Sequence, residues 1–106
     1  MTRAKEMVYT GDFIDARTAF VIGLLNRVVP QADLMNEARE LAKKLLGKSS
    51  IALALAKNAI NTGANLDLSS ALDFEEQCFA QCFATEDQKE GMAAFAEKRK
   101  AEWKGK

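Results

Sequence analysis

Histidine is absent from this 106-residue sequence, so no imidazole base can activate a serine or cysteine nucleophile within the chain. Two cysteines and several carboxylates remain as residues able to do chemistry. Cys78 and Cys82 stand one helical turn apart. Without histidine they cannot complete a Cys/His zinc site by themselves, and they imply no disulfide framework. They read as small apolar side chains in a reducing compartment. Glu75-Glu76 and Glu86-Asp87 are adjacent pairs. Neighbours on a helix point about 100° apart, so neither pair converges on one metal ion or one proton. Solvated surface, or charge set against the dipole of a first helical turn, is their expected role. Gly63 and Gly91 stand alone and form no phosphate-cradling motif. The tail from Lys98 to Lys106 is basic and carries Trp103, but Glu97 and Glu102 interrupt it. With fifteen basic and fifteen acidic residues and zero net charge, the chain lacks a nucleic-acid footprint, and the tail is expected to fray.

The elements that must position these residues are helical. Hydrophobic residues make up 48% and charged residues 28%, which excludes a disordered chain. Alanine, leucine, glutamate and lysine dominate, with a single proline, and that mixture favours helix over sheet. No apolar run approaches the ~18 residues of a membrane span, and the amino-terminal residues lack the apolar region of a secretion signal. A cytoplasmic protein without a membrane partner is expected. A short helix over Arg3–Tyr9 ends at Thr10-Gly11, and Asp15 caps a second over Ala16–Ile22. Leu24–Val29 reads as an extended segment or stub of strand closed by Pro30. Leu34, Ala38, Leu41, Ala42 and Leu45 make one apolar stripe of a third helix that Gly47 terminates. Ser49 or Ser50 caps a fourth over Ile51–Asn61, apolar on all sides at its start and so expected between neighbours. After a loop at 61–65, Ser69 or Ser70 opens a fifth helix. Its stripes, Ala71, Phe74, Cys78, Cys82 and Leu72, Phe79, Phe83, form a wide apolar face. Thr85 and Gln88 form a capping box for a last helix through Met92, Phe95 and Lys98. The expected architecture is all-α, with five to six helices and at most a short extended stub near 25–29, in a single unit spanning 1–106.

Three phrases, taken together, are distinctive. Ala4-Lys5-Glu6-Met7 leads to Thr10-Gly11, Ile14-Asp15-Ala16, Ala19 and then Gly23-Leu24-Leu25-Asn26-Arg27-Val28-Val29-Pro30. Ala56-Lys57-Asn58-Ala59-Ile60-Asn61 follows, and then Phe79-Ala80 with Phe83-Ala84-Thr85-Glu86-Asp87-Gln88-Lys89-Glu90-Gly91-Met92-Ala93-Ala94-Phe95-Ala96-Glu97-Lys98-Arg99. In this order they resemble the C-terminal segment of the crotonase superfamily, close to its enoyl-CoA hydratase and 3-hydroxybutyryl-CoA dehydratase branch, over essentially the whole chain.

The resemblance implies a helical, trimerising region that follows a spiral core of β-β-α turns. It implies reversible hydration of 2-enoyl-CoA, or dehydration of 3-hydroxyacyl-CoA, with the coenzyme A thioester as substrate and no further cofactor. The oxyanion hole and the two acid-base glutamates of that family lie upstream of the position matching Met1. No catalytic residue and no metal ligand are therefore expected here, and the chain alone should be inactive. What it would supply is homo-oligomer contact and part of the cover over the acyl-CoA site, often a neighbouring subunit's. The positions matching Phe95 and Lys98 contact the adenosine end of CoA in similar hydratases. Residues three apart share a helix face, an aromatic ring can stack on adenine, and an ammonium can meet a phosphate oxygen. Phe79 and Phe83 are candidates for lining the acyl tail's route. The alternative is a stand-alone, non-catalytic helical oligomerisation module built on the face of Leu72, Phe74, Phe79 and Phe83.

Overall fold

The computed structural model describes residues 2–106. They form six α-helices: α1 (Thr2–Thr10), α2 (Ala16–Val21), α3 (Leu34–Leu46), α4 (Ser50–Gly63), α5 (Leu68–Phe83) and α6 (Glu86–Ala96). A 3₁₀ turn at Gln31–Asp33 precedes α3. The described residues contain no strand, so the all-α expectation holds. The segment after α2 is irregular: the amides of Leu24 and Leu25 both donate to the Ala19 carbonyl, at 2.9 and 3.3 Å. The chain's contacts gather into two units, Met1–Arg39 and Glu40–Lys106.

In the first unit, turn chemistry fixes the path. Gly11 (φ 69°) and Gly23 (φ 80°) take the left-handed conformation that ends α1 and α2 at little cost. The Asp15 carboxylate caps α2, accepting the Thr18 amide at 2.6 Å. That bond holds the Asp15 carboxyl below its ordinary range. Ala19 is this unit's one buried apolar side chain among the described residues. An exposed ion pair joins Arg27 to Glu37 at 2.9 Å.

The second unit is built on α4 and α5. Four residues, Ala64 to Asp67, join them into an αα-hairpin. The Ser49 hydroxyl caps α4, accepting the Ala52 amide at 3.3 Å. Helix α4 runs through Asn61 and Thr62 to Gly63, so the loop expected at 61–65 begins later. The cap of α5 is Asp67 rather than either serine: its carboxylate accepts the Ser70 amide at 3.1 Å and the Ser70 hydroxyl at 2.6 Å. A carboxylate at that position satisfies two donors at once, and this is why the helix starts earlier than a serine cap would place it. Thr85 accepts the Gln88 amide at 3.0 Å and caps α6.

Little of this is core. Cys78 and Ala94 are the second unit's buried apolar residues. No residue of α4 is buried, although its first turns are apolar all round, because α5 covers only one side of it.

Candidate functional site

The carboxyl-terminal end of α6 carries the two residues singled out for CoA contact. Phe95, in the last turn, is 85% exposed. Lys98 is also exposed, but it does not share the helix. The expected run through Lys98 stops at Ala96, and Lys98 takes φ 54°, the one non-glycine residue with positive φ among the described residues. The amide of Lys98 donates to Phe95 O at 3.3 Å, and that of Arg99 to Ala94 O at 3.0 Å. These two bonds define a Schellman ending, with lysine where glycine usually stands. Phe95 and Lys98 are thus related across a helix end and a left-handed turn, not along one helical face.

Beyond the turn the tail does not fray. Arg99 forks onto Glu90, with Nη1–Oε1 2.6 Å and Nη2–Oε2 3.0 Å, a two-pronged geometry that Arg and carboxylate share. The Arg99 Nε also reaches Glu97 Oε2 at 2.5 Å. Glu90 Oε1 further accepts the Glu102 amide at 2.8 Å. The guanidinium of Arg99, foremost, and then that amide hold the Glu90 carboxyl down at about 2. Trp103 Nε1 donates to Gly47 O at 2.8 Å, and its ring lies against Gly91, where an added Cβ would sit 3.2 Å from the nearest ring carbon.

Asp87 completes the docking, and here the surface role expected of Glu86-Asp87 fails for its second member. Asp87 is 2% exposed. It accepts the Ser49 hydroxyl at 2.6 Å, the Lys104 amide at 2.7 Å and the Gly105 amide at 3.1 Å. The Asp87 amide, in turn, donates to Lys106 O at 3.1 Å. The Ser49 hydroxyl, more than any other partner, lowers the Asp87 carboxyl, and the two tail amides add to it against the opposing effect of burial. A buried carboxylate that collects donors in this way is a structural node rather than an acid-base group. The tail's Trp103, a large ring within a charged run, was the one signal in the sequence that this segment packs.

Phe79 and Phe83 meet edge to face, with ring centroids 5.0 Å apart and 64% and 54% of their surfaces exposed. Beside them, α4 and α5 form a groove of about 480 Å³, lined by Leu55, Ile60, Leu72, Glu75 and Phe79 among others. Phe79 lines this groove and Phe83 does not. Cys78 and Cys82 also lie along it as free thiols.

The chain has close counterparts among known proteins. The family model described as enoyl-CoA hydratase/isomerase matches residues 1–106, the entire chain. The chain belongs to the enoyl-CoA hydratase/isomerase family. It is 47% identical over 102 residues to a short-chain-enoyl-CoA hydratase of Clostridium acetobutylicum, covering 96% of this chain and 39% of that one. To a crotonyl-CoA hydratase of Syntrophomonas wolfei it is 48% identical over 98 residues, covering 92% and 38%. It superimposes on the crystal structure of an enoyl-CoA hydratase from Bacillus anthracis with a TM-score of 0.96 at 42% identity, covering 100% of this chain and 41% of that one. Human enoyl-CoA hydratase domain-containing protein 3 gives a TM-score of 0.88 at 35% identity, covering 96% and 40%. The chain therefore spans about two-fifths of the length of these hydratase relatives. The crotonase resemblance read from its three phrases stands.

Proposed function

We propose that this chain is the C-terminal helical part of an enoyl-CoA hydratase acting on a short-chain 2-enoyl-CoA, and that it supplies oligomer contact and part of the CoA cover rather than acid-base chemistry. The observation that carries this reading is identity of 41–48% over 92–99% of this chain to hydratases of which the chain covers about two-fifths. The chain's own carboxylates support the division of labour. Asp87 and Glu90, the two best shielded by docking of the tail, are both occupied by donors. Phe95 and Lys98 stand exposed at the end of α6, where a ring could stack on adenine and an ammonium could meet phosphate. The exposed α4/α5 groove and the apolar faces of α3 and α5 are the surfaces that the rest of the enzyme, or neighbouring copies, would cover.

The test is a crotonyl-CoA hydration assay following loss of the enoyl-thioester absorbance, run on two proteins. The 106-residue chain alone is expected to give no turnover. A chimera, in which this chain replaces the matching C-terminal part of the Clostridium acetobutylicum hydratase, is expected to be active. Turnover by the chain alone would place acid-base chemistry in its own carboxylates and refute the division of labour. A well-folded but inactive chimera would refute the assignment itself. The second reading, a free-standing association module, is favoured by the exposed face of Leu72, Phe79 and Phe83. It would prevail if the chain formed a discrete oligomer alone while the chimera stayed inactive.

A further inference from the structure

A non-glycine residue in the left-handed conformation costs roughly 1 kcal/mol or more and persists only where its surroundings over-determine it. At Lys98 the helix ending itself does not explain the lysine. The two Schellman bonds, Lys98 N to Phe95 O and Arg99 N to Ala94 O, are made by backbone atoms, and glycine would make them with less strain. Nor does the side chain repay that cost locally, since the Lys98 ammonium has no ion-pair partner among the described residues. Two charged groups beside it are engaged, Arg99 and Glu90. Arg99 is held by both oxygens of Glu90 and by Glu97, and Glu90 is locked in turn by the Glu102 amide. The fork from Arg99 returns to a residue in the middle of α6, so it fixes the direction in which the chain doubles back after the turn. The turn places the unpaired ammonium of Lys98, with that of Lys100 two residues on, close in sequence to one exposed ring, Phe95, an arrangement that suits a ligand with phosphates and a flat base.

We propose that the Glu90–Arg99 pair is a positioning device that holds Lys98 left-handed and so aims its ammonium, together with Phe95, at the nucleotide end of the CoA thioester. This rests on the reading of Lys98 as a CoA contact given above. Glu90 and Arg99 touch no substrate in this scheme; they act through Lys98.

The experiment uses the active chimera with two substrates, crotonyl-CoA and crotonyl-pantetheine, the second lacking the nucleotide. Lys98→Gln is expected to raise KM for crotonyl-CoA about three- to tenfold, the loss of one charge-assisted bond, while leaving kcat and the pantetheine substrate unchanged. Glu90→Gln is expected to do the same. The double variant should be no worse than Lys98→Gln alone, because both remove one interaction. If Lys98→Gln leaves KM for crotonyl-CoA unchanged, the CoA-contact reading falls and the positioning role with it. If Lys98→Gln acts and Glu90→Gln does not, the positioning role alone falls. Equal losses on both substrates for Glu90→Gln would mark a general structural role and overturn the proposal. Independently of activity, NMR of the 106-residue chain reads the Lys98 conformation from its intraresidue amide-to-Hα contact. Persistence of the left-handed signature in Glu90→Gln would refute the device; its loss, with the rest of α6 unchanged, is the expected result.

Discussion

Ser49 and Asp87, 38 residues apart, share a 2.6 Å hydrogen bond that closes the start of α4 onto the start of α6. The same carboxylate accepts two amides of the tail, so one side chain joins three segments that have no local reason to meet. Gly105 is required beside it: φ is 73°, and an added Cβ would lie 2.9 Å from the Ser50 Oγ.

Removing that node should release the tail. Asp87→Ala leaves the Ser49 hydroxyl and two amides without their acceptor. The expected result is a fall in Tm of roughly 5–10 °C and about tenfold faster tryptic cleavage at Lys100 and Lys104. Limited proteolysis followed by mass spectrometry reads the second effect. Unchanged cleavage would mean that Trp103 and Glu90 hold the tail by themselves.

Tail docking should also depend on acid. The Glu90 carboxyl lies at about 2 in the folded chain against an ordinary 4.5, and Asp87 is shifted in the same direction. A depressed carboxyl contributes stability that is fully present above its unfolded value and lost as pH falls through its folded value. Docking is therefore complete at neutral pH and weakens between about pH 4.5 and about 2. Trp103 fluorescence should shift to the red across that window, and Glu90→Gln should flatten the part of the transition that Glu90 contributes. A transition of unchanged shape in Glu90→Gln would count against the ion pair as its source.

Gly91 and Trp103 form a second test of packing. Glycine within a helix costs about 0.5–1 kcal/mol relative to alanine, yet a Cβ here would meet two ring carbons at 3.2 and 3.3 Å. The two effects oppose each other, so Gly91→Ala should be nearly neutral in the wild-type background. In a Trp103→Ala background, with the ring gone, the same change should stabilise by ~0.5–1 kcal/mol. Thermal unfolding of the four proteins in this cycle gives the coupling directly. Equal effects in both backgrounds would show that the ring does not require the glycine.

What was legible in the sequence follows from range. Asp15, Ser49 and Thr85 could be read as caps because each acts on an amide three residues away, and α3 because its leucines repeat at helical spacing. The end of α6 was misread by two residues, because a left-handed lysine leaves no mark in a periodic pattern. Asp87, Glu90 and Arg99 could not be assigned locally: the partners that dock the tail lie 9 to 38 residues off, and a carboxylate on the first turn of a helix looks the same whether it faces water or a docked tail. The all-round apolar start of α4 implies burial between neighbours, yet no residue of α4 is buried within this chain.

Lys98 offers the sharpest separation of stability from function. Glycine at the left-handed position keeps both Schellman bonds and relieves the steric cost of a Cβ at φ 54°. Lys98→Gly should therefore raise stability by about 0.5–1 kcal/mol despite the added freedom of glycine in the unfolded chain, seen as a Tm a few degrees higher. If the lysine serves CoA, the same variant in the chimera should raise KM for crotonyl-CoA while melting higher, a trade of binding for stability. A variant that melts lower would show that the lysine stem packs on the turn and that the left-handed strain is offset locally. A variant that melts higher with KM unchanged would leave the strain without a purpose in CoA binding, and the ammonium would have to serve a contact in another part of the enzyme.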